Sequence, residues 1–188
     1  MANGLTYARK TDSTENTKQL AETLAPYLHP GDVVVLSGDL GAGKTQFVQG
    51  VAAGLGVSAQ VTSPTFNILL EYHDGRIPLY HFDLYRLDDA DELENTGYYD
   101  VIDADGVSFI EWGEKFPGAL PYGYLEVRIL VTPEDVQSNQ YISDAVFSSS
   151  YPDTRVQSPD IWYMDARQSV TNILLLSDKN HFSSQFSD

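Results

Sequence analysis

The sequence contains no cysteine, which excludes disulfides and any thiolate metal site. It is also poor in bases: 11 Lys and Arg face 27 Asp and Glu, for a net charge of −16. Gripping nucleic acid takes a basic face that displaces phosphate counterions. This chain alone is therefore not expected to hold RNA or DNA, and a role near RNA would run through a basic partner. No apolar run is long enough to cross a bilayer. Residues 1–7 are short and mixed, so no secretory leader is expected. The expectation is a soluble cytoplasmic protein without a membrane partner. A hydrophobic content of 42% is enough for a core, and 188 residues suit one domain with an appendage.

What is present is a phosphate-binding loop. Gly38, Asp39, Leu40, Gly41, Ala42, Gly43, Lys44 and Thr45 fit G-x-x-x-x-G-K-[ST] with no mismatch. Glycines let the backbone turn so that its N–H groups face phosphate oxygens. Gly38, Leu40, Gly41, Ala42 and Gly43 supply that backbone. Lys44 is expected to reach the β- and γ-phosphates of ATP, and Thr45 to offer its hydroxyl to Mg²⁺. The flanks agree. Residues 33–37 are an apolar, β-branched run that reads as a buried strand. Phe47, Val48, Val51, Ala52 and Leu55 then recur at helical spacing, and Gly54 and Gly56 mark a helix end.

Upstream, Asp12 and Glu15 resemble a capping box, with Asp12 as the N-cap. Leu20, Leu24 and Leu28 predict an amphipathic helix that ends near Pro30 and Gly31. Downstream, residues 66–72 and 77–83 read as two antiparallel strands joined across Asp74 and Gly75. Residues 89–95 form a short helical piece ending near Gly97. Nine acids and one base lie between Asp83 and Asp105, a pattern that reads mainly as a solvated surface. Residues 107–112 predict a buried strand with Glu111 at its end, and residues 124–131 a further strand. Residues 136–188 carry only three bases and six acids. The boundary is accordingly placed between a P-loop domain, 1–135, and an extension, 136–188, of appended strands or partly disordered chain.

Hydrolysis or transfer needs more than the loop: a metal-holding acid, a group that positions water, and a γ-phosphate sensor. Glu111 follows an apolar strand, and strand carboxyl ends face the ligand crevice of open α/β sheets. Period-two alternation puts His81, Asp83 and Tyr85 on one face, which fits a site or a solvated edge equally well. Ser63 and Thr65 flank Pro64 in a loop able to close over a γ-phosphate, or they are ordinary turn hydroxyls.

These residues together resemble a known family. The loop 38–45, then Ser63, Pro64, Thr65 and Phe66, then residues 81–86 (His-Phe-Asp-Leu-Tyr-Arg), then Glu111 and Trp112 are similar to the bacterial TsaE (YjeE) family. The resemblance spans roughly residues 12–131. It implies an α/β, P-loop NTPase-like three-layer domain with a mixed central sheet. It implies an ATPase that works with TsaB and TsaD to place threonylcarbamoyl on the adenosine next to the anticodon, in tRNAs reading codons that begin with A. Hydrolysis would reset that complex, and tRNA would be reached only through the partners. Carried over by position, Lys44 binds phosphate, Thr45 and Glu111 hold Mg²⁺, and Asp83 supports the metal or the attacking water. Thr65 belongs to the switch-like loop, Trp112 lies close to the nucleotide, and Thr14 borders the adenine pocket. The family's late basic residue corresponds to Arg128 or Arg155. Gln46 departs from the family's usual threonine or serine, and residues 136–188 exceed its usual end.

Two other readings fit the loop. A small-molecule kinase would bring an arginine-bearing lid, but Arg9, Arg76, Arg86 and Arg128 do not cluster in sequence. A nucleotide-gated docking module would use Asp83 and the acids of residues 88–94 as its contact surface, with hydrolysis incidental.

Overall fold

The structure is a computed structural model, and it describes residues 6–102, 104–131 and 143–149. All of these belong to one unit, Met1–Asp153. Seven strands form one sheet: β1 (Thr6–Thr11), β2 (Val33–Ser37), β3 (Leu69–Tyr72), β4 (Leu79–Asp83), β5 (Val107–Glu111), β6 (Leu125–Val131) and β7 (Ser143–Ser149). Their spatial order is β1-β7-β6-β2-β5-β4-β3. The central pairs β6–β2, β2–β5 and β5–β4 are parallel, and the pairs at both flanks are antiparallel. The sheet is thus mixed, as expected.

Every residue of β2, β4 and β5 is buried. That follows from their apolar composition, because parallel strands are covered on both faces. On one face lie α1 (Thr14–Glu22) and α2 (Lys44–Leu55), packed on each other. On the other, Val33, Val35, Tyr80, Phe82 and Ile110 pack with Leu93, Tyr98, Ile102 and Phe116. This second layer comes from a 3-10 segment, Ala90–Thr96, the short helix α3 (Tyr98–Val101) with Ile102 at its end, and the turn after β5 that ends at Phe116. Phe82 and Tyr98 meet edge to face, with ring centroids 5.2 Å apart. Asp89 and Glu92 form a full capping box at the start of that segment, and Gly97 ends it at φ 77°.

Five points of the structure differ from the expectations. The first helix is capped by Ser13, whose side chain accepts from the Asn16 N–H, while Asp12 accepts from the Asn16 side chain. It ends at Glu22 and resumes only as a 3-10 turn, Ala25–Tyr27. Pro26 has no N–H to donate, and its ring clashes with a carbonyl one turn back, so the α-helix cannot run on to Pro30. The strand expected from residue 66 starts only at Leu69, because Ile68 sits at φ 67° and breaks the extended run. Its partner starts at Leu79, after Pro78. Lastly, β1 escapes the sequence analysis.

The sheet also draws on chain beyond residue 135. β7 lies between β1 and β6 and pairs antiparallel with both. The rest of 136–188, Arg155 included, is outside the described residues.

Gly50 and Gly54 let α1 and the turn after it close on α2. A Cβ on Gly50 would lie 2.2 Å from the Lys18 carbonyl oxygen, and one on Gly54 would lie 2.6 Å from the Ala25 Cβ. Glycine to alanine inside a helix ordinarily gains about 1 kcal/mol of propensity. Here overpacking against backbone, worth about 1–3 kcal/mol or more, outweighs it. Gly50→Ala is therefore expected to lower the urea midpoint of unfolding, whereas Ala53→Ser, on the exposed side of α2, leaves it near wild type. A Gly50→Ala chain more stable than wild type would contradict this packing.

Candidate active site

The parallel register brings the ends of β2, β4 and β5 to one level, beside the middle of β6. Glu111 stands beside both Leu36 and Asp83, and Ser37 stands beside Arg128. This is the end of the sheet where ligands bind in open α/β folds, and the glycine loop 38–45 leaves β2 there. Gly38 has φ 134°, and a Cβ on it would lie 2.1 Å from the Ile129 carbonyl oxygen. No other residue can leave β2 so close to β6. Gly41 and Gly43 also have positive φ, at 81° and 105°, with open space where a side chain would be. Gly43 is the N-cap of the twelve-residue α2 and provides no side-chain cap. The first N–H groups of the helix are thus left for an anion, which the helix dipole also favours.

Lys44 is buried at 4% exposure. Its Nζ donates to the Gly38 and Asp39 carbonyl oxygens at 2.8 and 2.9 Å and sits 4.0 Å from the Trp112 ring centroid. Burial pushes its pKa down, and the charges of Glu111, Glu114, Asp83 and Asp39 partly oppose that. Burial likewise pushes the Glu114 carboxyl up.

Thr45 Oγ1 donates to Glu111 Oε1 at 2.8 Å. His81 Nε2 lies 2.9 Å from the same oxygen. A carboxylate only accepts, so the histidine nitrogen is the donor. Asp83 is held by other groups: its Oδ2 accepts from Ser63 Oγ at 3.2 Å and from Thr65 Oγ1, and its Oδ1 from the Tyr85 N–H at 3.0 Å. Ser63 Oγ and Thr65 Oγ1 also lie 2.6 Å apart, so the two hydroxyl hydrogens are shared among the three contacts. Ile68, just beyond this loop, and Trp112, just beyond Glu111, are the two non-glycine residues with positive φ among the described residues. A β-branched residue there is strained, and strained backbone gathers at functional loops. The Trp112 N–H bonds to the Leu36 carbonyl at 3.1 Å, and its ring meets that of Tyr85 at a tilt, with centroids 5.1 Å apart.

The structure therefore brings together the loop 38–45, Thr65, Asp83, Glu111 and Trp112. Leu40 is 75% exposed at the tip of the loop. Thr14 is the first residue of α1. Arg128 pairs with Glu126 at 3.1 Å next to the strand that carries the loop. His81 and Asp83 are buried at 0% and 3% exposure, so their face of β4 is not a solvated edge. Tyr85 leaves it, at 45%. Sequence alone assigns His81 no task. Its signal was the two-residue spacing to Asp83, but the partner it serves lies on another strand. Glu114 gave no signal at all.

Comparison with known proteins places this arrangement. The family model described as "Threonylcarbamoyl adenosine biosynthesis protein TsaE" matches residues 11–140. The tRNA threonylcarbamoyladenosine biosynthesis protein TsaE of Bacillus subtilis (strain 168) is 44% identical over 126 residues, covering 67% of this chain and 78% of that protein. The protein of the same name from Treponema pallidum (strain Nichols) is 44% identical over 109 residues, covering 58% of this chain and 80% of its own. The crystal structure of Bacillus subtilis YdiB matches with a TM-score of 0.69 at 30% identity, over 92% of this chain and 99% of that one. With a model matched over most of its length and relatives this similar, the chain belongs to the TsaE family of tRNA threonylcarbamoyladenosine biosynthesis proteins.

Proposed function

We propose that this chain binds ATP with Mg²⁺ at the loop 38–45 and hydrolyses it. It does so as the ATPase subunit of an assembly with TsaB- and TsaD-type proteins that modifies the adenosine next to the anticodon. The observation that carries the reading is the Thr45–Glu111 hydrogen bond at the mouth of the glycine cradle. A hydroxyl and a carboxylate meet there beside an uncapped helix N-terminus and a buried lysine. No group of three His, Asp or Glu side chains able to hold a metal occurs among the described residues. That fits Mg²⁺, which takes one or two protein ligands and completes its shell with water and phosphate oxygens.

The cradle fits the nucleotide for three reasons. Gly41 and Gly43 hold positive φ with nothing in the space a Cβ would take. The first turn of α2 offers its N–H groups to phosphate. Lys44 brings a point charge out of a poorly solvated position. Thr45 and Glu111 are the residues that would hold the cation, with Asp83 as its support or as the acceptor that orients a water. Bound there, Mg²⁺ would neutralise charge on the transferring phosphoryl group. Trp112 covers Lys44 and limits water on that side. Thr65, tied to Asp83, is the residue that would sense the γ-phosphate. The net charge of −16 supports contact with tRNA through the partners rather than through this chain. The compartment proposed is the cytoplasm; among the described residues no helix is long and apolar enough to cross a membrane.

The test is phosphate release measured with the full chain, partner subunits, ATP, Mg²⁺ and tRNA, alongside the modified adenosine formed. Lys44→Ala is expected to cut turnover by about 10²–10³-fold, the usual loss of a transition-state charge donor. Glu111→Ala should cut it by a similar factor, and chelation of Mg²⁺ should abolish it. Undiminished hydrolysis by the Lys44→Ala chain would end this reading. Repeated tRNA modification by a hydrolysis-dead chain would favour a docking module instead.

A further inference from the structure

His81 is wholly buried on β4, two residues before Asp83 and on the same face. Its Nε2 donates to Glu111 Oε1, while its Nδ1 meets no partner. Only one other buried side-chain atom among the described residues, Ser108 Oγ, is in that state. An unpaired polar atom in a dry interior lowers stability, and an apolar side chain in the same place would not. A residue there to fill space would therefore be better off apolar. What the imidazole supplies, and an apolar side chain cannot, is a hydrogen bond to Glu111.

Register explains why the bond falls there. Asp83 stands level with Glu111, and His81 stands level with Phe109, one step down the same face. The imidazole is long enough to reach up that step to the neighbouring strand. Glu111 Oε1 has one further donor, Thr45 Oγ1, whose hydroxyl is itself assigned to the cation. His81 is thus the donor to Glu111 that has no other task.

We propose that His81 is the positioning residue of the cation site: by holding Oε1 it fixes the rotation of the Glu111 carboxylate and turns the second oxygen toward a divalent cation. His81 touches neither cation nor nucleotide. The inference rests on the Mg²⁺–nucleotide reading above. Groups that orient a metal ligand set metal affinity, and their loss typically costs about 10–100-fold.

The test titrates the full chain with a fluorescent, non-hydrolysable ATP analogue at increasing Mg²⁺, and records thermal unfolding of the ligand-free chain. His81→Leu is expected to raise the Mg²⁺ concentration for half-maximal binding about tenfold or more. Affinity without metal should stay unchanged, and the unfolding temperature should stay close to that of wild type, because the lost bond to Glu111 offsets the removal of the unpaired Nδ1. His81→Gln, whose amide nitrogen reaches the place of Nε2, is expected to restore the wild-type Mg²⁺ requirement. An unchanged requirement in His81→Leu overturns the role, as does an equal loss of metal-free affinity. Should His81→Leu fail to fold, His81→Gln and His81→Asn decide: asparagine is one methylene too short to reach, so an equal Mg²⁺ requirement in both overturns the role. A wild-type chain that ignores Mg²⁺, or does not bind the analogue, sinks the underlying reading rather than the part given to His81.

Discussion

Glu111 Oε1 accepts hydrogen bonds from Thr45 at the start of α2 and from His81 on β4. One oxygen therefore ties together three elements: the helix that follows the glycine loop, the strand that carries Asp83, and the strand between that one and the loop's own strand. Glu111 is 4% exposed, and a carboxylate so buried is tolerated only with partners. Its partners come from elements far apart in the chain, so the bond forms only in the folded sheet. The spacing of the site rests on the parallel register that sets Leu36, Glu111 and Asp83 level.

Around that centre the backbone is held in conformations that ordinary residues avoid. Gly38, Gly41 and Gly43 carry positive φ through the loop, and Trp112 carries it immediately after Glu111. Trp112 remains there because its N–H is bonded to Leu36 and its ring is packed between Lys44 and Tyr85. The packing of α1 on α2 follows a related rule, in which Gly50 and Gly54 remove side chains where backbone must pass. Glycine thus serves the site by its conformation and the helix pair by its lack of volume.

Much of this was legible. The loop, its strand and its helix declare themselves locally, through glycine spacing, a β-branched run and a helical period. The hairpin turn at Asp74 and Gly75 placed β3 beside β4, and Glu111 was found because it closes an apolar strand. What was missed has physical reasons. Leucine spacing after Asp12 predicts a helix that runs to Pro30, and Pro26 ends it earlier. β1 was missed because it is of mixed character, and it is a strand by virtue of pairing with β7, residues 143–149. For the same reason, chain beyond residue 135 belongs to the sheet, although its composition alone reads as an appendage.

By itself, the sequence determined the chemistry on offer: a glycine loop with Lys44 and Thr45, acids at two strand ends, no thiol and no basic face. Those are properties of residue type and of spacing within a few turns of chain. Tertiary structure alone decided who meets whom. Glu111 received Thr45 and His81, Asp83 received Ser63 and Thr65, and Lys44 received the ring of Trp112. Such pairings depend on strand order and register, which are set by packing across the whole sheet and leave no mark in any local stretch of sequence.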